Sequence, residues 1–482
     1  MKLMKQKWIA ALSTVVLSVT GLPVCSAAAS GTAGDINLDG NLSISDAVLM
    51  QRYLLNTRNF TQEEWLAADM NEDKTVNAFD LSLLKHALLE KGIVFDAEDL
   101  LGNLVSRDVA GAEADDAFVL AQTDFALSLL QHTAEDDQNT LISPYSVMQA
   151  LAMTANGANG ETKAEMETAL GGLPLDELNE YLYTQRTSQP DSDSCKLLTA
   201  NSIWYRNDAK RLQVSQDFLQ TNADYYDAAA YSAPFDDSTV RDINSWIAKN
   251  TDFMIPKMID ELDPATVMCL INAVTFDAKW QSPYFENQIS DGTFTAYDGS
   301  TQTVEMMYSD EYCYLEDESA TGFYKYYEGG RYAFAALLPN EGITVTEYLD
   351  GLTPESLHET LANPERTSVI TGLPKFSCDY GNSLNETLAA MGMPGAFEPS
   401  ADFSNMADTE TGFLYIGDVL HKTHIDVDEN GTRAGAATVV MMEAGCAPIG
   451  HEVVLDRPFV YCIVDTETSL PVFMGTMLSM AE

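Results

Sequence analysis

The chain has 482 residues and a net charge of −47, from 73 acidic and 26 basic side chains. Such a charge repels the phosphates of nucleic acids and of anionic membranes, so we expect neither as a partner. The length exceeds that of one ordinary domain, and the apolar content of 46% is ample for a core. We therefore expect two or more globular units.

The N-terminus has the pattern of a secretory signal peptide. Three lysines among the first seven residues precede the apolar run 8–19, and small residues follow as far as Ala29. The run is too short to span a membrane comfortably. We therefore predict that residues 1–29 are removed and that the mature protein is extracellular.

The cysteines do not predict a disulfide framework or a zinc site. Seven occur, and one of them lies in the signal region. The other six are scattered singly, without the paired spacing of metal ligands: Cys195, Cys269, Cys313, Cys378, Cys446 and Cys462. His421 and His424 are close in sequence, but they lack a neighbouring ligand set, so we interpret them as core or surface residues.

An internal repeat follows the signal. Oxygen-bearing side chains occupy the ligand positions of an EF-hand-type loop twice: first at Asp35, Asn37, Asp39, Asn41 and Asp46, then at Asp69, Asn71, Asp73, Thr75 and Asp80. Hard oxygen ligands at this spacing suit Ca²⁺. Each loop leads into one predicted helix, and apolar positions match between the copies. We predict two Ca²⁺ sites, the second weakened by Lys74, which stands where the turn favours Gly.

The segment 32–95 resembles a type I dockerin, a small all-α calcium-dependent module that binds a cohesin on a cellulosome scaffold. The resemblance implies cohesin contacts at Ile44, Ser45, Gln51, Arg52, Ala78, Phe79, Lys85 and His86. The alternative is a freestanding calcium buffer, but a loop followed by a single helix favours the dockerin. We interpret the acidic, Gly- and Ala-containing segment 96–114 as a linker, with room for a short helix near residues 100–105.

Residues 115–482 carry a series of family-specific blocks. These include Asn139 to Val147, Asn201 to Trp204, Ile271 to Phe276, Leu373 to Phe376, Arg457 to Phe459 and Val472 to Gly475. The whole segment resembles the serpin family. That resemblance implies an α+β fold with a large, mostly antiparallel central sheet, surrounding helices and an exposed reactive-centre loop, in a monomeric domain.

The segment 428–440 matches the hinge of the serpin reactive-centre loop. In inhibitory serpins this hinge enters the central sheet as a new strand after a protease cuts the loop. Small residues alternate on one side, and no Pro would interrupt a ladder of hydrogen bonds, while Arg433 points outward. The expected hinge residues are Glu429, Gly431, Thr432, Ala434, Ala436 and Thr438.

Further residues match the serpin positions that control sheet opening. Ser143, Ser146, Asn272 and His421 correspond to the polar cluster beneath the sheet. Trp280 matches the aromatic residue where insertion begins, and Lys375 matches the salt-bridge partner of Glu429. We expect truncation of the buried members to be costly, because their polar groups need one another.

The reactive bond can be placed in two ways. Counting from Gly431 gives Gly445-Cys446, and counting back from Pro458 gives Ala447-Pro448. We favour the first, because a proline after the cut bond hinders most serine proteases. No Lys, Arg or aromatic residue lies between residues 439 and 450, which favours an elastase-like or subtilisin-like target.

Three classes of function remain to be weighed. The first is a suicide inhibitor of serine proteases held on a cellulosome, and the second is a non-inhibitory serpin-fold scaffold. The third is a hydrolase, which is disfavoured because the sequence contains no G-x-S-x-G or HExxH motif. We therefore expect an inhibitor and not an enzyme.

Overall fold

The structure is a computed structural model of the chain. It describes residues 33–38, 40, 42–54, 58–70, 74–90, 98–99, 105–192, 194–251, 254–255, 257–410, 412–432 and 450–480. The predicted signal peptide lies outside these residues. The chain divides into two compact units, residues 1–81 and 82–482. No helix among the described residues has the length and apolar character needed to cross a membrane.

Helices α1 (Ile44–Leu54), α2 (Gln62–Ala68) and α3 (Ala78–Glu90) follow one another through the calcium-type repeat, and the boundary between the two units lies within α3. Met50 and Leu84, which match between the repeats, are both fully buried. Helix α2 was not expected from the sequence, which predicted one helix after each loop. It begins at a capping box, in which the side chains of Thr61 and Glu64 each accept a hydrogen bond from the other's backbone N–H.

Residues 98–480 contain the remaining elements. The helices are α4 (Asp116–Thr133), α5 (Pro144–Ala155), α6 (Gly160–Ala169), α7 (Leu175–Thr187), α8 (Gln216–Tyr226), α9 (Asp237–Asn250), α10 (Val345–Gly351), α11 (Pro354–Ala362) and α12 (Asn385–Ala390), with short 3-10 helices at Glu286–Gln288 and Pro394–Phe397. The strands are β1 (Glu98–Asp99), β2 (Thr140–Ile142), β3 (Asp191–Ser192), β4 (Cys195–Arg206), β5 (Leu212–Val214), β6 (Ala229–Ala233), β7 (Met268–Lys279), β8 (Ile289–Thr295), β9 (Thr301–Glu311), β10 (Tyr314–Glu316), β11 (Ala320–Tyr326), β12 (Tyr332–Pro339), β13 (Val369–Pro374), β14 (Phe376–Ser383), β15 (Ala407–Thr409), β16 (Leu420–Val427), β17 (Gly431–Thr432), β18 (His451–Val454), β19 (Phe459–Asp465) and β20 (Leu470–Met477).

The central sheet has the strand order β1-β6-β4-β7-β17-β16-β14. In addition, β3 pairs with the first two residues of β4. Its ladders are antiparallel except that of β4 with β6. The short strand β17 is the only described element between the long strands β7 and β16. Among the described residues, no ladder joins β7 to β16 directly. The α+β architecture with a large, mostly antiparallel sheet is confirmed.

Two larger sheets and the two-stranded sheet β15-β5 accompany the central one among the described residues. Of the two larger sheets, one has the order β10-β11-β12-β19-β20-β2, and the other has the order β18-β13-β9-β8. Aromatic side chains fill the space between these sheets and the central one, including Phe276, Trp280, Phe334, Phe376 and Tyr461. On the other side of the central sheet, Trp246 and Ile247 of α9 belong to an apolar cluster with Ile271 and Ala273 of β7.

Part of the predicted linker 96–114 belongs to the structure of the second unit. Strand β1 extends the central sheet by pairing with β6. Farther on, the backbone N–H and the guanidinium of Arg107 bind the carboxylate of Asp224 on α8. Ala112 donates its N–H to the carbonyl of Glu180 on α7. Composition alone missed this, because polar and glycine-rich sequence does not distinguish a loose linker from one held by its backbone.

Candidate functional site

The hinge begins inside the central sheet. Gly431 is paired with Lys279 of β7, and Thr432 is paired with both Ala278 of β7 and Val427 of β16. A Cβ atom at position 431 would collide with the carbonyl oxygen of Ala278. Glycine is therefore required where the chain enters the sheet. The strands that flank the hinge, β7 and β16, are therefore the two between which a longer hinge strand would insert.

The turn before the hinge is held by three main-chain contacts. Trp280 donates its indole N–H to the carbonyl oxygen of Asp428 at 2.8 Å and its backbone N–H to that of Asn430 at 2.8 Å. The backbone N–H of Tyr284 donates to the carbonyl oxygen of Glu429 at 2.9 Å. The predicted aromatic residue at this end of the sheet is thus in direct contact with the hinge turn.

Thr432 is anchored from beneath by a tyrosine. Its Oγ1 lies 2.5 Å from the hydroxyl oxygen of Tyr327, and both side chains are buried. The ring of Tyr327 stacks on Trp280, with centroids 4.5 Å apart. No sequence signal identified Tyr327, because a tyrosine in an apolar run is ordinarily a core residue.

Lys375 and Glu429 form the predicted ion pair. The distance from Nζ to Oε2 is 2.9 Å, and Glu305 lies 3.5 Å from the same Nζ. The hydrogen bond from Lys375 lowers the pKa of Glu429. Partial burial lowers the pKa of Lys375, but the hydrogen bonds and negative charges of Glu429 and Glu305 together outweigh it and leave the pKa raised. This pair holds the outer side of the hinge turn.

The four predicted network residues are brought together beneath the sheet. The backbone N–H of Ser143 donates to Nε2 of His421 at 3.0 Å, and its Oγ donates to the carbonyl oxygen of Val472. The hydroxyl of Ser146 donates to Oδ1 of Asn272. Ser143 also caps α5 by accepting the N–H of Ser146. The network therefore joins α5 to both strands that flank the hinge.

The network extends to residues that were not singled out. Asn272 donates to Oδ1 of Asn201 at 2.6 Å, and Asn201 donates to the side chain of Gln149 and the carbonyl oxygen of Tyr226. Asn201 opens one of the family blocks, so the sequence contained the signal. His421 is 6% exposed, and burial lowers its pKa to about 4. The ring is therefore neutral at pH 7.

Much of the reactive-centre loop lies outside the described residues. Hinge residues Ala434, Ala436 and Thr438 and candidate bond residues Gly445, Cys446 and Ala447 all fall in the segment 433–449. The chain is described again from Gly450, and β18 follows at once. The described cysteines, Cys195, Cys269, Cys313, Cys378 and Cys462, are free thiols.

The two calcium-type loops have similar backbone-to-aspartate hydrogen bonds. In the first, Asp46 accepts the backbone N–H groups of Asn37 and Ser43; in the second, Asp80 accepts those of Met70 and Asn77. Asp35 and Asp69 accept the N–H groups of residues 40 and 74. Lys74 has φ +69°, the left-handed conformation expected for the glycine it replaces.

Two predicted aspartate ligands of each loop are described, and they carry the oxygen atoms that calcium takes as ligands. Asp35, Asp46, Asp69 and Asp80 are all at least 92% buried, and buried carboxylates require a partner such as a metal. Predicted ligands Asp39, Asn41, Asn71 and Asp73 lie outside the described residues. Within the described part of the chain, no group of three or more His, Cys, Asp or Glu side chains is gathered for a metal.

The predicted cohesin-binding residues lie on α1 and α3. Ser45 and Arg52 are exposed, and Gln51 and Lys85 are half-buried. Ile44, Ala78, Phe79 and His86 belong to the same helices, but their side chains lie outside the described part of the structure. The cohesin role of all eight stays a prediction.

The fold and the hinge site define a protein whose central sheet begins to accept a strand from its own chain. A family model for serpin (serine protease inhibitor) matches residues 120–480, and one for the dockerin type I domain matches residues 33–89. The chain belongs to the serpin family and carries an N-terminal type I dockerin.

Individual relatives agree with this assignment. An uncharacterized serpin-like protein of Thermococcus kodakarensis is 31% identical over 77% of this chain and 88% of its own length. Leukocyte elastase inhibitor of Bos taurus is 30% identical over 74% and 98%. The crystal structure of the thermophilic serpin tengpin in its native state matches 80% of this chain and 100% of its own, with 44% identity and a TM-score of 0.76.

Proposed function

We propose that this protein is a secreted suicide inhibitor of serine proteases, held on a cellulosome scaffold through its dockerin. The protease cuts the reactive-centre loop, and the freed hinge then continues into the central sheet. Because the protease is still covalently attached to the loop at that stage, insertion traps it. The serpin domain acts as a monomer and not as an enzyme.

One observation carries the inhibitory proposal. Gly431 and Thr432 already pair with β7 and β16, so the next hinge residues have a strand edge on each side to follow. Side chains alternate along a strand, so Ala434, Ala436 and Thr438 would follow Thr432 toward the core. They are small enough to enter without forcing the sheet apart.

The loop composition supports a target with a small primary pocket. We favour Gly445-Cys446 as the reactive bond, with Ala447-Pro448 as the second choice, and an elastase-like or subtilisin-like protease as the target. The dockerin would bind a cohesin through its two helices and hold two Ca²⁺ ions. Secretion would follow removal of residues 1–29.

The direct test is incubation with an elastase-like and a subtilisin-like protease. We expect an adduct that survives SDS, and mass spectrometry of the released peptide should place the cut at Gly445-Cys446. Cleavage without an adduct would favour the alternative, a non-inhibitory serpin-fold scaffold. No cleavage and no adduct with either enzyme would remove both proteases as targets.

A pair of hinge variants tests the insertion step itself. Ala434→Arg places a charge on the inward side of the entering strand and should convert the inhibitor into a substrate that is cut without trapping. Arg433→Gln alters the neighbouring outward position and should preserve trapping. Equal trapping by both variants would contradict insertion between β7 and β16.

A further inference from the structure

A buried ammonium group lies beside the hinge turn. Lys325 of β11 is 1% exposed, and its Nζ lies 2.7 Å from Oε1 of Glu311 on β9. Burial lowers the pKa of Lys325, and Glu311 opposes that shift. Well-packed apolar side chains often replace such buried pairs without loss of stability. Stability alone therefore does not explain why a cation stands here.

The cation lies against two aromatic rings. Nζ is 4.1 Å from the ring centroid of Tyr284 and 5.6 Å from that of Trp280. A cation attracts the face of an aromatic ring, and the attraction is stronger where water is excluded. Trp280 and Tyr284 are also the residues whose N–H groups hold the carbonyl oxygens of residues 428–430. Lys325 thus contacts the side chains of both residues that hold the turn.

The same pair reaches the strand that follows the reactive loop. Oε1 of Glu311 also accepts the hydroxyl of Ser309 at 2.7 Å, and that hydroxyl lies 3.0 Å from Oγ1 of Thr371. Thr371 belongs to β13, which pairs with β18 directly after the loop. A partly buried chain of polar side chains therefore connects the residues that hold the hinge turn to β13, the strand that pairs with β18 after the loop.

We propose that Lys325, paired with Glu311, is a positioning residue for loop insertion. It holds Trp280 and Tyr284 in the orientation that directs the hinge into the gap between β7 and β16. The proposal rests on the inhibitory function argued above. After cleavage, trapping competes with hydrolysis of the acyl-enzyme, so a poorly directed hinge enters late and more inhibitor is consumed as substrate.

The test is the stoichiometry of inhibition, the moles of inhibitor consumed for each mole of protease trapped. The variant Lys325→Met/Glu311→Leu replaces the ion pair with apolar groups of similar size. We expect its stoichiometry to rise at least threefold, while the rate of loop cleavage stays unchanged because the loop sequence is the same. Arg107→Met/Asp224→Leu removes an ion pair that joins α8 to the segment before α4, and it should leave the stoichiometry unchanged.

The outcomes separate this proposal from the proposed function. If the parent protein forms no adduct, the inhibitory function fails, and the role of Lys325 fails with it. If the parent forms an adduct and the Lys325 variant has the same stoichiometry, only the role of Lys325 is overturned, even where its melting temperature has changed. If the double variant does not fold, Glu311→Gln provides the test, with a smaller rise expected and an unchanged value counting against the proposal.

Discussion

At the scale of single residues, the buried polar groups around the hinge are held by specific partners. Ser143, His421 and Asn272 each have one in the network beneath the sheet, and Thr432 has one in Tyr327. Buried polar groups contribute to a unique structure only while these partners are present. Substitutions here should therefore have larger effects than their size suggests.

His421 should make stability depend on pH. Burial lowers its pKa to about 4, from the ordinary value of 6.5. Between these values the unfolded chain binds a proton that the folded chain does not, so stability is full above pH 6.5 and is lost as the pH falls toward 4. We expect this group to cost about 2 kcal/mol of unfolding free energy between pH 7 and pH 5. Urea unfolding at both pH values measures the loss.

His421→Gln provides the matched control for this pH dependence. His424 remains in both proteins, and its protonation has the opposite effect on the free energy of unfolding. Burial disfavours its cation, but hydrogen bonds to Asp379 and Asp426 raise the pKa of His424 to about 9. The difference between parent and variant therefore isolates His421. An identical loss in both proteins between pH 7 and pH 5 would contradict the assignment.

Tyr327→Phe should weaken the anchored start of the hinge. The change removes the hydroxyl 2.5 Å from Thr432 and leaves a buried hydroxyl without that partner. We expect the free energy of unfolding to fall by about 1–2 kcal/mol, measured by denaturant titration. Tyr326→Phe at the neighbouring position, the last residue of β11, is the control, because its hydroxyl lies 3.6 Å from the sulfur of Cys313, and it should cost less than about 0.5 kcal/mol. Equal losses of unfolding free energy in the two variants would mean that the hydrogen bond to Thr432 does not stabilise the hinge.

At the scale of elements, the sequence predicted what depends on local pattern and family resemblance. The alternation from Thr432 onward predicted a strand, and the structure describes its first part, Gly431 and Thr432, as β17. Tyr327 and Lys325 were missed because their roles arise from strands distant in sequence. Helix α2 was missed because its seven residues are too few to show a clear apolar period. Strand β1 was missed because backbone pairing at a sheet edge leaves little trace in side-chain composition.

The segment before α4 should contribute to stability through Asp224. This side chain is 2% exposed; burial alone would raise its pKa, but the hydrogen bonds from Arg107 leave the pKa lowered. Arg107→Met removes the guanidinium, and we expect the free energy of unfolding to fall, because the carboxylate of Asp224 loses its charged partner. Denaturant titration at pH 7 measures the loss. Lys257→Met is the control, because its partner Asp260 is exposed, and a comparable loss there would refute the special role of Asp224.

At the scale of the whole molecule, a net charge of −47 has different consequences for the two units. The serpin domain buries a large apolar core that does not depend on charge. The dockerin instead buries Asp35, Asp46, Asp69 and Asp80 within a small unit. Burying carboxylates opposes folding unless a cation compensates for the lost hydration. Calcium is therefore expected to control the docking unit and to leave the inhibitory unit largely unaffected.

Chelation should separate the two units in one experiment on the full chain. We expect excess EGTA to abolish the calorimetric transition of the dockerin, while the melting temperature of the serpin domain changes by less than about 2 °C. The reason is that metal binding stabilises only the unit that binds it. A serpin-domain transition that fell together with the dockerin transition would show that the units do not fold independently.

In calcium titrations, Asp46→Asn and Asp80→Asn should each remove one of two binding events. Lys74→Gly should strengthen the second site about fivefold, because it relieves about 1 kcal/mol of backbone strain. A single binding event in the parent protein would rule out the second calcium site.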